Sequence, residues 1–204
     1  MNIETFKIAF HATAIEPAQP WDPSIHPEVE DLIRQVAGTT YNHGLYRVLT
    51  PAQYTSAKEA FELMHPEFAG CLAPFGYDWS GRYFAVDVTT IDTDEPMILM
   101  LEPGSGEVFE IPGTVTSFHN DTLVNSSEPA LASGSWTEWR ETHPDPLPHS
   151  KCVGYRKPLF LGGEDDFPNY EIGNLEVYIE FCSQVWDRIR DLPEGTPIKN
   201  IQWV

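Results

Sequence analysis

Apolar positions fall into two rhythms along this chain, and the change comes near Cys71. Before it the spacing is helical. Residues 28–36 set Val29, Leu32, Ile33 and Val36 on one side behind an acidic first turn. Turn signals at Asp22 with Pro23 and at His26 with Pro27 precede that segment, and Gly38 closes it. Thr50 followed by Pro51 reads as an N-cap with proline at the first helical position. The helix it opens should run to about Met64, with Tyr54, Ala57, Ala60, Phe61 and Met64 on one face and His65 with Pro66 as its stop. Residues 45–49 form a short apolar run that fits a strand. The first 70 residues therefore read as mainly helical.

Past residue 70 the period shortens to two. Residues 83–88, 96–101 and 107–111 are β-rich runs separated by turn chemistry, and Pro103, Gly104, Ser105 and Gly106 make a hairpin loop between the last two. Residues 97–101 are apolar at every position, which predicts a central strand covered on both faces. Residues 113–151 are mixed. Segments 117–123 and 133–141, the latter carrying Trp136 and Trp139, are helix candidates, and 143–148 is a proline-rich surface loop. Residues 153–161 suggest a strand closed by Gly162 and Gly163. The last element is a helix over about 175–192, capped by Asn174, with Tyr178, Phe181, Cys182, Val185, Ile189 and Leu192 on one stripe and Pro193, Glu194 and Gly195 at its end. Together these elements predict an α+β chain: a central antiparallel sheet flanked by helices, without repeats or low-complexity tracts.

Length and composition fit that picture. A chain of 204 residues, 41% hydrophobic and 12% aromatic, is long enough to bury a core as one domain. It divides into a helical region over 1–70 and an α+β core over 71–204. No apolar run is long enough to span a membrane, and the first residues lack the basic stretch and cleavage site of a secretory signal, so a cytoplasmic location is expected.

Charge narrows the function. The formal net charge is −19, and between Glu59 and Trp139 the only basic residue is Arg82. Such a chain is a poor ligand for DNA, RNA or an acidic membrane, whereas a basic protein partner would be steered toward it. High solubility alone is the plain alternative.

Catalytic and metal signatures are sparse. Seven histidines form no HExxH or HxH pattern, and no GxSxG, GxxxxGK[ST] or strand-borne GxGxxG motif occurs, so no metal or cofactor is expected. His143 and His149, with Asp145 between them, could ligate a metal, although an exposed loop explains them as well. Cys71, Cys152 and Cys182 are odd in number and widely spaced, which fits reduced, buried thiols. Two acidic clusters stand out: Asp92, Asp94 and Glu95 between two strands, and Glu164, Asp165 and Asp166 after the double glycine. The second lacks EF-hand spacing, so it reads as a solvated loop or a protein-facing anionic patch.

The most distinctive stretch is FGYDWSGRYFAVD over 75–87. It reads as an aromatic approach, a tight turn at Trp79, Ser80, Gly81 and Arg82, and a strand. Asp78 can accept turn N–H bonds and Arg82 can pair with Asp78 or Asp87. A structural corner and a catalytic Asp78/Arg82/Asp87 group are the competing readings.

This stretch, the hairpin LEPGSGEVFEIP and the tail beginning CVGYRKPLFLGGEDDF together resemble bacterial immunity proteins. They are similar to the DUF1851 group of type VI secretion (Tdi1-like) immunity proteins, with a relation to the SMI1/KNR4 (SUKH) superfamily. The resemblance covers roughly residues 70–198, and the first 70 are similar only in outline to the GAD-like region that precedes such domains. It implies an α+β fold, no enzymatic activity, no cofactor, and neutralisation of a cognate toxin in the cytoplasm. Gly76, Asp78, Trp79, Gly81 and Asp87 at the corner, with Arg82 beside them, and Gly162 and Gly163 at the strand end would hold the fold. A basic, nuclease-like toxin follows from the charge, with the two acidic clusters as its contacts. A regulatory SMI1/KNR4-like module that binds a host protein is the alternative, and a homodimer is compatible with the aromatic content.

Overall fold

A computed structural model of the chain describes residues 1–20, 26–90, 93–193 and 196. Seven strands form one antiparallel meander in chain order: β1 (Ala12–Ile15), β2 (Thr39–Tyr41), β3 (Tyr46–Val48), β4 (Leu72–Asp78), β5 (Tyr83–Asp87), β6 (Met97–Glu102) and β7 (Glu107–Pro112). A separate hairpin pairs β8 (Lys151–Tyr155) with β9 (Tyr170–Asn174). The α+β class expected from the two rhythms is the class observed.

The sheet carries a core on each face, and this explains its apolar runs. Side chains alternate across a strand, so Ile98 and Met100 of β6 join one core while Leu99 and Leu101 join the other. The first core also holds Phe6 of α1 (Glu4–Ala9), Leu32 of α2 (Pro27–Val36), and the short helices after β7. Those are α4 (Val115–Ser117), a π-helical turn (Phe118–Thr122), α5 (Leu123–Asn125), α6 (Ser127–Leu131) and α7 (Ser133–Thr142). The second core lies under α3 (Pro51–Met64) and α8 (Leu175–Ile189), which pack side by side.

Several expectations need correcting. Strand β6 is covered on both faces but is sixth of seven, so the centre of the sheet is β4. Apolarity reports coverage, not strand order. The first 70 residues hold the two expected helices, α2 and α3, and the strand expected at 45–49, which is β3 and pairs Tyr46 with Asp78 of β4; α1, β1 and β2 are unexpected, so the region is less purely helical than its spacing suggests. Helix α4 and the π turn begin at Val115, two residues before the predicted start. Strand β8 spans Lys151–Tyr155 only, and the chain then makes a 3₁₀ turn at Leu159–Leu161. Gly162 and Gly163 therefore close that turn rather than a strand; a Cβ on Gly163 would sit 1.9 Å from the Lys157 carbonyl oxygen. Helix α8 ends at Ile189, with Leu192 46% exposed, and Glu194 and Gly195 of its expected stop lie outside the described residues.

Local chemistry behaves as the sequence dictates at α3. Thr50 Oγ1 accepts from Gln53 N at 3.4 Å while Gln53 Oε1 accepts from Thr50 N at 3.0 Å, a reciprocal capping box. All five residues of its predicted apolar face are buried.

Candidate partner-binding surface

The distinctive corner lies between β4 and β5. Asp78 is fully buried and accepts from Ser80 N (3.0 Å), Ser80 Oγ (2.9 Å), Arg82 N (3.0 Å) and Arg82 Nε (2.6 Å). Gly81 takes φ +88°, which an L side chain resists, and Gly76 leaves no room for a Cβ against Tyr46 Oη, 2.4 Å away. Trp79 donates through Nε1 to the Leu131 carbonyl at 2.8 Å and packs on Trp136. Arg82 pairs with Asp78 and reaches Glu102 at 3.9 Å; it does not pair with Asp87, which instead accepts from Thr89 N at 2.9 Å. Burial pushes the Glu102 carboxyl up to about 7, with Arg82 opposing.

Sequence reasoning missed a second buried cation. Arg47 is fully buried and donates to the carbonyls of Gly44 (3.0 Å), Asp78 (3.0 Å), Pro148 (3.2 Å) and Lys151, with its guanidinium 4.7 Å from the Tyr77 ring centroid. It straps residues 148–151 onto β3 and β4. His149, expected on an exposed loop, is buried in this strap: Nε2 lies 3.0 Å from the Val48 carbonyl and Nδ1 lies 2.9 Å from Tyr77 Oη. Burial lowers its pKa to about 4. His119 in the π turn is likewise buried and lowered to about 4, held between Val115 O (2.7 Å) and Tyr46 Oη (2.9 Å). Cys152 and Cys182 are buried, and burial raises both thiols, Cys152 to about 12. Cys71 is half-buried. Among the described residues no group of three or more His, Cys, Asp or Glu could hold a metal ion.

The two predicted acidic clusters lie at opposite ends of β6. Asp94 and Glu95 are exposed in the loop before Met97, and Asp92 lies outside the described residues. Glu164, Asp165 and Asp166 are exposed near the β6–β7 hairpin, to which Phe160 N binds through the Gly104 carbonyl at 3.2 Å. Six residues of strand separate the two loops, roughly 17 Å. Two members of the second cluster also have local partners. Asp165 Oδ1 accepts from Tyr155 Oη (2.9 Å) and Tyr170 Oη (2.7 Å), and Asp166 Oδ1 accepts from Asn169 N (3.2 Å).

A different acidic surface emerges from the packing of α3 against α8. The groove between them encloses about 480 Å³ and is lined by Ala52, Ser56, Glu59, Ala60 and Leu63 from α3 and by Glu176, Ile179, Glu180, Ser183 and Gln184 from α8. Its floor is buried at Ala60, Ile179 and Ser183, its three glutamates are exposed, and no lysine, arginine or histidine lines it. These residues repeat at helical spacing in two segments more than a hundred positions apart, so the groove is invisible until the helices meet. A second cavity, of about 530 Å³, lies between β1, the turn at Asn42 and His43, and α7, and includes Arg140 and Trp136. Asn42 (φ 47°) and His43 (φ 62°) are left-handed there: Asn42 Oδ1 accepts from His11 N at 2.9 Å and Thr13 Oγ1 accepts from His43 N at 3.1 Å.

No helix among the described residues is long and apolar enough to cross a membrane. No protein-family model matches the chain, and no characterised protein matches it by sequence. Among solved structures, it is similar to the crystal structure of Atu4351 from Agrobacterium tumefaciens, at 12% identity over 90% of this chain and 89% of that one, with a TM-score of 0.57. At that identity the likeness shows the fold alone.

Proposed function

We propose that this chain is an immunity protein that binds a cognate antibacterial toxin, a basic nuclease-like effector, and neutralises it by occluding the active site. The observation that carries the reading is electrostatic: a net charge of −19 coexists with a concave surface whose only charged lining residues are glutamates. Opposite charge on the partner accelerates encounter and sets specificity, while an apolar centre sets the lifetime of the complex. The resemblance of residues 70–198 to type VI immunity proteins supports the same reading. His119 and His149 are buried and hydrogen-bonded within the fold, which supports a structural role for both.

Co-expression tests it. The product of the adjacent upstream gene is expressed in a sensitive bacterium with and without this chain. Killing should be abolished only when the chain is present. Killing that continues unabated, or an upstream product that is harmless, contradicts the proposal and favours a SMI1/KNR4-like module that binds a host protein.

A further inference from the structure

We propose that the α3–α8 groove is the docking site, and that its occupant is an amphipathic helix of the toxin presenting lysine or arginine on one flank. The assignment rests on the immunity reading above. It differs from the loop clusters in being concave and in having Ala60 and Ile179 at its floor; of its carboxylates, Glu180 Oε1 accepts from Gln184 Nε2 at 3.1 Å, a bond within the α8 wall of the groove itself. Glu59 stands on the α3 wall and Glu176 and Glu180 on the α8 wall, so cations on either flank of an inserted helix meet a carboxylate. Ala60 and Ile179 form the floor between them, and Leu63, 38% exposed, offers apolar surface at one end. An apolar stripe on the incoming helix fills the floor as helix-in-groove complexes do, and its basic residues supply the charge complementarity. By contrast Asp165 and Asp166, in the most acidic loop, already accept hydrogen bonds from Tyr155, Tyr170 and Asn169.

The test compares two variants that each lose three charges: Glu59→Gln/Glu176→Gln/Glu180→Gln in the groove, and Asp94→Asn/Glu95→Gln/Glu164→Gln in the loops. The isotope-labelled full chain is titrated with a synthetic amphipathic helix of leucine and lysine, and amide shifts are followed by NMR. Saturable binding is expected, with shifts at Ser56, Ala60, Ile179 and Ser183. The groove variant should bind roughly ten-fold more weakly or worse, and the loop variant within about two-fold of the parent. Equal weakening of both variants, shifts elsewhere, or no saturable binding overturns the assignment. So does self-association of the chain that the groove variant abolishes, because the face is then a homodimer contact. The same three proteins enter the toxin rescue. Rescue by the parent and loop variant but not the groove variant supports the groove. Rescue by all three overturns it while leaving the immunity reading standing, and failure of the parent to rescue removes that reading and this assignment with it.

Discussion

Arg47 on β3 is fully buried and Arg82, in the turn between β4 and β5, is nearly so, yet they are stabilised by opposite means. Arg82 sits between two carboxylates, Asp78 and Glu102, and one of its partners is four residues away in sequence. Arg47 has four backbone carbonyls and an aromatic face, two of the carbonyls lying a hundred or more positions downstream. Carboxylates titrate and carbonyls do not, so between neutral and mildly alkaline pH the corner should respond through Glu102 while the strap should not; the strap's own titratable group, His149, is lowered to about 4 and responds only on acidification. The difference also shows why local pairs can be read from a sequence and long-range ones cannot.

The largest effect is expected at the strap. Arg47→Met leaves four buried carbonyls without their donor and should cost about 3–5 kcal/mol in urea unfolding, with a loss that stays constant between neutral and mildly alkaline pH. Arg82→Met should cost somewhat less, about 2–4 kcal/mol at neutral pH, because Asp78 keeps its bonds from Ser80 and the Arg82 backbone. Its loss should shrink on acidification as Glu102 takes up a proton, and adding Glu102→Gln should recover part of it. If both arginine variants show the same pH profile, the contrast between strap and corner is wrong.

Acid stability sharpens the contrast. Glu102 is raised from an ordinary value near 4.5 to about 7, so its protonation stabilises the native state fully below 4.5, and that contribution is lost as pH rises toward 7. His119 and His149 are lowered from 6.5 to about 4, so their contribution is full above 6.5 and is lost as pH falls toward 4. Two histidines oppose one carboxyl, and the native state should weaken on acidification between those limits. Glu102→Gln should roughly double the slope of stability against pH in that window, as measured by urea midpoints. An unchanged slope would mean that Glu102 titrates normally. The smallest effect belongs to the loops: Asp94→Asn/Glu95→Gln/Glu164→Gln should shift stability by less than about 0.5 kcal/mol.

These networks mark what the sequence could show. The Thr50–Gln53 capping box, the β6–β7 hairpin, and the Asp78–Arg82 pair all lie within a few residues, where spacing and turn chemistry decide the outcome. Strands β1 and β2 escaped because four and three residues are too few to display a period. Arg47 sat inside a run read as apolar, and its partners are backbone oxygens, which carry no sequence signal. The α3–α8 groove escaped for a related reason: each helix shows only a stripe of small and acidic residues, and concavity arises when they pack together.

Calorimetric titration of the purified chain with the upstream gene product, inactivated so that it can be made in quantity, at low and at physiological salt, bears most directly on the claim that this acidic fold neutralises a basic toxin. One-to-one binding that weakens as salt rises is the expected result. Absence of binding, or binding that does not depend on salt, would contradict the account.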